Sequence, residues 1–230
     1  MIKKLLILAF ALVLAVSAFA QSGANYSVAL TDDSAGVIIT AYTGNAATVS
    51  VPISLEGLPV KAIGNEAFRN KTTLTKLVIP KGVTEIGDNA FQGCRNLGSV
   101  TLPDTIIKIG VRAFDSCGLT TISIPTGCTN IGEGAFANCT QLKTMVLPKD
   151  IQHIPANMFL GCEALHPVTV PDTIKSIGTK AFAGCKALAA FNVPASVELI
   201  EFAGDVFEGC GKLNLGAQVA LKKLGYNGNF

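Results

Sequence analysis

Residues 86 to 108 read IGDNAFQGCRNLGSVTLPDTIIK, and residue 109 begins the same pattern again with Ile-Gly. The phenylalanine of this stretch is one of seven that occupy the same position of the pattern, and the gaps between them are 23, 23, 22, 23, 23 and 25 residues. The seven are Phe68, Phe91, Phe114, Phe136, Phe159, Phe182 and Phe207. A fixed period in this range indicates a solenoid, in which each unit buries its apolar face against its neighbours.

Each position of the repeat has a structural interpretation. Residues 97 to 102 alternate as a short strand, and Pro103 ends it because proline has no N–H for a ladder. Residues 106 to 109 return towards the core, and Gly110 is expected to open a tight turn. Ala113-Phe114 is expected to form a short helical turn, and the phenylalanine ring is expected to fill the core. The residue two positions after each phenylalanine is mostly Gly or Asn, which tolerate a left-handed backbone, so the turn is expected to end there. The pattern therefore predicts parallel strands, about eight in number and about 4.8 Å apart, with helical turns and loops on the other side.

A resemblance follows from these motifs. The run L-x-x-[V/I]-x-[I/L]-P followed by I-G-x-x-A-F-x-G-C resembles the BspA-like leucine-rich-repeat family of bacterial surface proteins. The likeness covers residues 63 to 210, and more loosely residues 46 to 62. It implies a right-handed leucine-rich-repeat solenoid of the α/β type. Relatives in this family are implicated in adhesion to host cells and to matrix proteins such as fibronectin and fibrinogen.

The first twenty residues are typical of a secretory signal peptide. Lys3 and Lys4 precede an apolar run from residue 5 to residue 16, and Ala18-Phe19-Ala20 forms a small-residue cleavage site. A membrane anchor is the alternative, but the apolar run is short for a membrane span. The sequence therefore predicts export, to the surface, the medium or the periplasm.

The rest of the chain divides into three segments. Residues 21 to 62 are expected to form an N-terminal β cap with an incomplete repeat, and residues 63 to 210 carry the repeats. Residues 211 to 230 are expected to form a C-terminal cap helix and tail, with Ala217, Ala220, Leu221 and Leu224 on one face. The tail also resembles the terminal cap of spirochaete members of the family.

The charge balance argues against nucleic-acid and lipid partners. The chain has 18 basic and 16 acidic residues, and the predicted signal holds two lysines and no acid, which leaves 16 against 16. Without a basic excess, little electrostatic attraction to nucleic acid or anionic lipid is expected.

Six of the seven cysteines occupy one column of the repeat, and Cys128 occupies an apolar core slot. Disulfides are the usual expectation in an exported protein. However, parallel side chains in stacked rungs lie about 4.8 Å apart. A disulfide needs Cβ atoms about 3.8 Å apart, with the two side chains pointing towards each other. The column therefore favours a ladder of free buried thiols that donate to turn carbonyls.

No catalytic, cofactor-binding or metal-binding site is predicted. His153 and His166 fall at positions where other repeats carry solvated residues, and neither lies at ligand spacing from a cysteine pair. The pair Asp32-Asp33 lies in a turn cluster, where aspartate bonds its own backbone. We therefore expect a protein that is not an enzyme.

The exposed face of the predicted strands is the candidate binding site. Residues between the inward-facing ones form small, hydroxyl-rich columns that match either a protein-docking surface or the ordinary composition of exposed strands. The candidate positions are Lys76, Val78, Ser99, Thr101, Thr121, Ser123, Thr144, Val146, Thr169 and Asn192. The resemblance to the BspA-like family implies a surface or secreted adhesin or interaction module for host or matrix proteins. The alternative is a periplasmic or envelope structural protein with a bacterial partner.

Overall fold

The computed structural model describes residues 25 to 230 and forms a β-solenoid of about seven turns with very little helix. The predicted signal peptide lies outside the described residues. The strands are β1 Tyr26–Leu30, β2 Val37–Tyr42, β3 Thr48–Ser50, β4 Ser54–Leu55, β5 Leu58–Ile63, β6 Lys76–Val78, β7 Glu85–Ile86, β8 Ser99–Thr101, β9 Lys108–Ile109, β10 Thr121–Ser123, β11 Asn130–Ile131, β12 Thr144–Val146, β13 His153–Ile154, β14 Val168–Thr169, β15 Ser176–Ile177, β16 Phe191–Asn192 and β17 Glu201–Phe202. Helix α1 spans Leu215–Lys223.

The strand predicted at the start of each repeat, before the recurring proline, belongs to what we call the front ladder. This ladder consists of β3, β6, β8, β10, β12, β14 and β16. They pair in parallel in three groups, β3-β6-β8, β10-β12 and β14-β16. The expectation of about eight strands in one ladder was wrong. The break between β8 and β10 coincides with the short repeat, which has one residue between Cys117 and Leu119 where the preceding repeat has two.

The return arm of each repeat forms a second parallel ladder, which the sequence did not predict. It runs β2-β5-β7-β9-β11 and then β13-β15-β17. In most rungs the residue after the inward isoleucine donates its N–H to the preceding rung, as Gly110 does to the Ile86 carbonyl at 2.8 Å. Pro155 holds this position between β11 and β13 and has no N–H, which explains why the ladder stops there.

The expected helical turn around each phenylalanine was also wrong. Two residues before Phe91, Asn89 has φ 54°, and two residues after it Gly93 has φ 75°, so the helical conformation is interrupted on both sides. The backbone of this turn pairs with the next rung instead, because the Phe91 N–H donates to the Ala113 carbonyl at 2.8 Å. The left-handed position two residues after each phenylalanine was predicted, and it is confirmed in all seven repeats, from Asn70 with φ 59° to Gly209 with φ 75°.

The repeated phenylalanines form a continuous aromatic stack along the core. All seven are fully buried, and neighbouring rings lie 5.1 to 5.8 Å apart in stacked geometry. Tyr42 stacks on Phe68 at 4.8 Å at one end, and Tyr226 meets Phe207 edge-on at 5.1 Å at the other.

The thiol ladder is confirmed. All seven cysteines are buried and free. The six cysteines of the column each donate to the carbonyl of the phenylalanine in the preceding repeat, from Cys94 to Phe68 at 3.0 Å through Cys210 to Phe182 at 3.1 Å. Each thiol therefore satisfies a buried turn carbonyl and joins two rungs.

The two ends of the described chain differ from the repeats. β1 and β2 pair antiparallel, and β2 continues into the second ladder through β5. Helix α1 starts at the N-cap Asn214, whose side chain accepts from the Ala217 N–H at 2.8 Å, and Gly225 follows it with φ 108°. Ala217 and Leu221 are buried as expected, whereas Ala220 is exposed and Leu224 half-buried.

Candidate functional site

The ten candidate positions all lie on strands of the front ladder. Nine are exposed, and Val78 is half-buried. Val146 is the most apolar exposed position among them, with 60% of its surface accessible. The alternation of the strands sends the intervening residues inward, where Leu77 and Ile122 are buried.

The strand register aligns these positions in columns. Lys76 lies beside Ser99 and Val78 beside Thr101. In the following groups the same alignment pairs Thr121 with Thr144, Ser123 with Val146, and Thr169 with Asn192. The structure therefore brings the ten residues together as three aligned patches, one in each group of the front ladder.

Charge separates the front ladder from the second ladder. Lys76 is the one charged residue among the ten candidate positions. The outward positions of the second ladder are instead Glu85, Lys108, Asn130, His153, Ser176 and Glu201. Glu85 and Lys108 form an ion pair there at 3.4 Å. Because charged residues are depleted at the centres of protein interfaces, the front ladder is the face better suited to docking.

The other residues considered from sequence have local structural roles. His153 is exposed, and its Nδ1 lies 2.7 Å from the Ser176 hydroxyl. His166 is exposed and accepts from the Ala189 N–H at 3.3 Å. Asp33 accepts hydrogen bonds from the Thr31 hydroxyl and the Ala35 N–H, which lower the pKa of its carboxyl. The turn interpretation of this aspartate is confirmed.

Asp115 is a buried carboxylate that the sequence analysis did not single out. It is 8% exposed and accepts from the Gln92 amide at 3.0 Å, the Asn138 amide at 2.9 Å and the Ser116 hydroxyl at 2.9 Å. Gln92 and Asn138 each stand 23 residues away, so the repeat period could have revealed this cluster. Three donors satisfy the charge, and the cluster joins three consecutive rungs.

Two further features that would bear on function are a cluster of metal ligands and a membrane-spanning helix. No group of three or more histidine, cysteine, aspartate or glutamate side chains within residues 25 to 230 is placed to hold a metal ion. The same part of the chain contains no helix long and apolar enough to cross a membrane.

The repeat geometry agrees with a family match along most of the chain. The family is described as "BspA type Leucine rich repeat region", and its model matches in 6 copies over residues 61–189 and 153–223. The chain belongs to the BspA-type leucine-rich-repeat family. Proteins built from such repeats generally serve as interaction modules, and BspA-type repeats are typical of surface and secreted bacterial proteins.

Solved structures of other proteins are similar to this fold. A leucine-rich-repeat protein of T. pallidum, TpLRR, is 33% identical over 92% of this chain and 99% of its own, with a TM-score of 0.86. A leucine-rich-repeat protein from Bacteroides ovatus is 23% identical over 83% of this chain and 68% of its own, with a TM-score of 0.58. The pneumococcal vaccine antigen PcpA is 18% identical over 77% of this chain and 50% of its own, with a TM-score of 0.61. The last two likenesses concern the fold alone, and no curated protein matches the chain.

Proposed function

We propose that this BspA-type protein is an exported binding module that docks a protein partner on the exposed face of its front ladder. The observation that carries the proposal is the row of small, hydroxyl-rich and almost uncharged side chains that strand pairing holds in aligned patches. Hydroxyls supply hydrogen-bond donors and acceptors, while Val78 and Val146 supply apolar contact.

Binding by this face would work through rigid complementarity and involve no catalysis. The buried phenylalanine stack and thiol ladder fix the spacing of the strands, so little conformational freedom is lost when a partner docks. A broad array of short side chains suits another macromolecule better than a small ligand, which needs a concave site. The antiparallel hairpin β1-β2 and helix α1 lie at the two ends of the solenoid.

The partner class that we propose is a host cell-surface or matrix protein. The proposal rests on the family and on the signal-like residues 1 to 20. Purified protein should therefore bind immobilised fibronectin, fibrinogen or host cells saturably, with albumin as the control surface. Non-saturable binding, or no binding above albumin across such a panel, would contradict a host-binding role.

Protease treatment of intact cells tests the location independently. A surface protein should be degraded while a cytoplasmic marker survives. Survival of the protein until the outer envelope is permeabilised would contradict surface exposure. That result would favour a periplasmic or envelope structural role with a bacterial partner.

A further inference from the structure

The last rung of the front ladder lacks the strand that would continue it. After Leu213 the chain begins as earlier rungs do, because the Asn214 N–H donates to the Ala189 carbonyl at 3.0 Å, as His166 does to Lys143 at 3.0 Å. The chain then turns into α1, since Asn214 also serves as the helix N-cap. The helix therefore replaces the next strand.

This replacement leaves the outer edge of β16 without a strand partner. Where the next front strand pairs in the same group, the residue just after the strand donates forward, as Ile79 does to Thr101 at 3.1 Å and Val170 does to Asn192 at 3.0 Å. Leu102 and Leu147, which precede the two breaks between the groups, make no such bond among the described residues. Val193 holds the same position after β16. Among residues 25 to 230, no backbone carbonyl accepts a hydrogen bond from its N–H. An unpaired strand edge is a template for another strand.

A groove of about 460 Å³ lies between this edge and α1. One wall is β16 with the residues that follow it, including Val193 and Val197. The other wall is the helix face that carries Ala220, Lys223 and Leu224. Ala220 and Leu224 are the two residues of the predicted apolar face that the fold leaves incompletely covered. Lys223 is the one charged residue that lines the groove.

We propose that this groove binds an extended segment of another protein, which adds a strand to β16 and places an acidic side chain beside Lys223. The unpaired backbone groups along the β16 edge are spaced to bond another extended chain, and a compact small molecule does not reproduce that spacing. The apolar walls accept alternate side chains of the segment, and the lysine selects an acidic residue. This surface shares only Asn192 with the ten candidate positions of the front ladder.

The test uses a phage-displayed library of random heptapeptides selected on the purified protein. Selected peptides should alternate β-branched or aromatic residues and carry an aspartate or glutamate. Each is then synthesised, labelled and titrated by fluorescence anisotropy. Hydrogen exchange should show protection at residues 191 to 193 and 216 to 224 when the peptide is bound.

Two variants in the same helical turn provide a matched comparison. Lys223→Glu should weaken binding of the selected peptide about tenfold or more, because it replaces attraction by repulsion. Lys222→Glu makes the same change of charge in the last turn of α1, but Lys222 does not line the groove. This variant should therefore keep the affinity within about twofold of the parent. Val193→Pro removes the free N–H and should also weaken binding, with circular dichroism confirming that the fold is retained.

Four outcomes would overturn the proposal. One is that the library yields no enriched peptide, and another is that both glutamate variants behave alike. A third is that protection falls on strands β6, β8, β10 and β12 instead of the groove. The fourth is concentration-dependent self-association that Val193→Pro abolishes, because a second copy of the chain would then be the occupant.

Discussion

Among single residues, the glycine after each return-arm isoleucine shows how closely the rungs approach. A Cβ atom on Gly110 would lie 2.6 Å from the Asp88 nitrogen and from the Gly87 carbonyl carbon. Gly87 would meet the backbone of Asn65 and Gly64 in the same way. Gly110 opens a turn as expected, because its carbonyl accepts from the Ala113 N–H at 3.3 Å. Its backbone is not left-handed, so close contact between the rungs is what favours glycine there.

A matched pair of glycine variants tests this contact. Gly110→Ala should lower the free energy of unfolding by about 1–3 kcal/mol, because the backbone of the preceding rung must move. Gly127→Ala should stay within about 0.5 kcal/mol, since nothing lies within 4 Å of its Cβ position and its φ is not positive. Urea unfolding followed by circular dichroism measures both. Equal losses in the two variants would rule out the close-contact explanation.

The buried thiols make the fold sensitive to alkali. Burial raises the pKa of Cys128 and of Cys139 to about 12, from an ordinary value of 9.0. A folded-state pKa above the unfolded value means that the stability from the protonated thiol is present below pH 9 and is lost as pH rises towards 12. Each thiol then contributes a decline of about 1.4 kcal/mol per pH unit in that window.

Replacing Cys128 shows how much this one thiol contributes to the loss of stability at high pH. Cys128→Val should keep stability near neutral pH within about 1 kcal/mol, because Val83 and Val197 fill the same slot in other repeats. Between about pH 9 and pH 11 the variant should lose less stability than the parent, by about 1.4 kcal/mol per pH unit. Urea titrations at several pH values measure the difference. Parallel pH profiles for the two proteins would exclude titration of this thiol.

At the level of elements, the phenylalanine stack links every rung to the next. Phe136 lies 5.4 Å from Phe114 and 5.8 Å from Phe159, and its side chain is fully buried. Phe136→Ala should therefore cost about 3–5 kcal/mol of unfolding free energy through the cavity that it leaves. Urea unfolding measures the loss, with Thr140→Ala at an exposed turn as the control. A loss below about 1 kcal/mol would show that the stack can collapse around the gap.

The elements differ in how far the sequence predicts them. The front strands follow from alternation in segments such as residues 97 to 102, and the left-handed turn residues follow from the Gly and Asn column. The second ladder was missed because strands of two residues, such as β9, are too short to show alternation. A helical turn was predicted at the Ala-Phe pair of each repeat. Residues such as Arg112, with φ 51°, have a left-handed backbone there, which interrupts the helical conformation.

The candidate site was predicted only in part, because a local sequence pattern specifies which residues share a face but not how two elements pack. Alternation in the strands places Thr101 and Thr121 on the outer face, and both are exposed. The groove beside β16 was not predicted, because it depends on where α1 lies relative to the final strand. A helical pattern specifies which residues share a face but not how closely a neighbouring strand covers Ala220 and Leu224.

For the whole molecule, the cysteines report on the integrity of the solenoid. All seven are buried, so a water-soluble thiol reagent should react slowly with the native protein. After denaturation without reductant the reagent should titrate seven thiols. Absorbance at the end point measures the count. A count below six would mean that some cysteines are oxidised and would contradict the free-thiol ladder.

The binding function that we propose belongs to the exposed face of the front ladder. Its most direct test is the dissociation constant of a partner identified by saturable binding, measured for Thr101→Arg/Thr121→Arg and for Thr129→Arg/Thr140→Arg. All four threonines are exposed, but Thr129 and Thr140 lie outside the front-ladder strands. We predict that the first variant weakens binding at least about a hundredfold, roughly 2.7 kcal/mol, while the second changes it by less than about threefold. Equal affinities for the two folded variants would contradict the account.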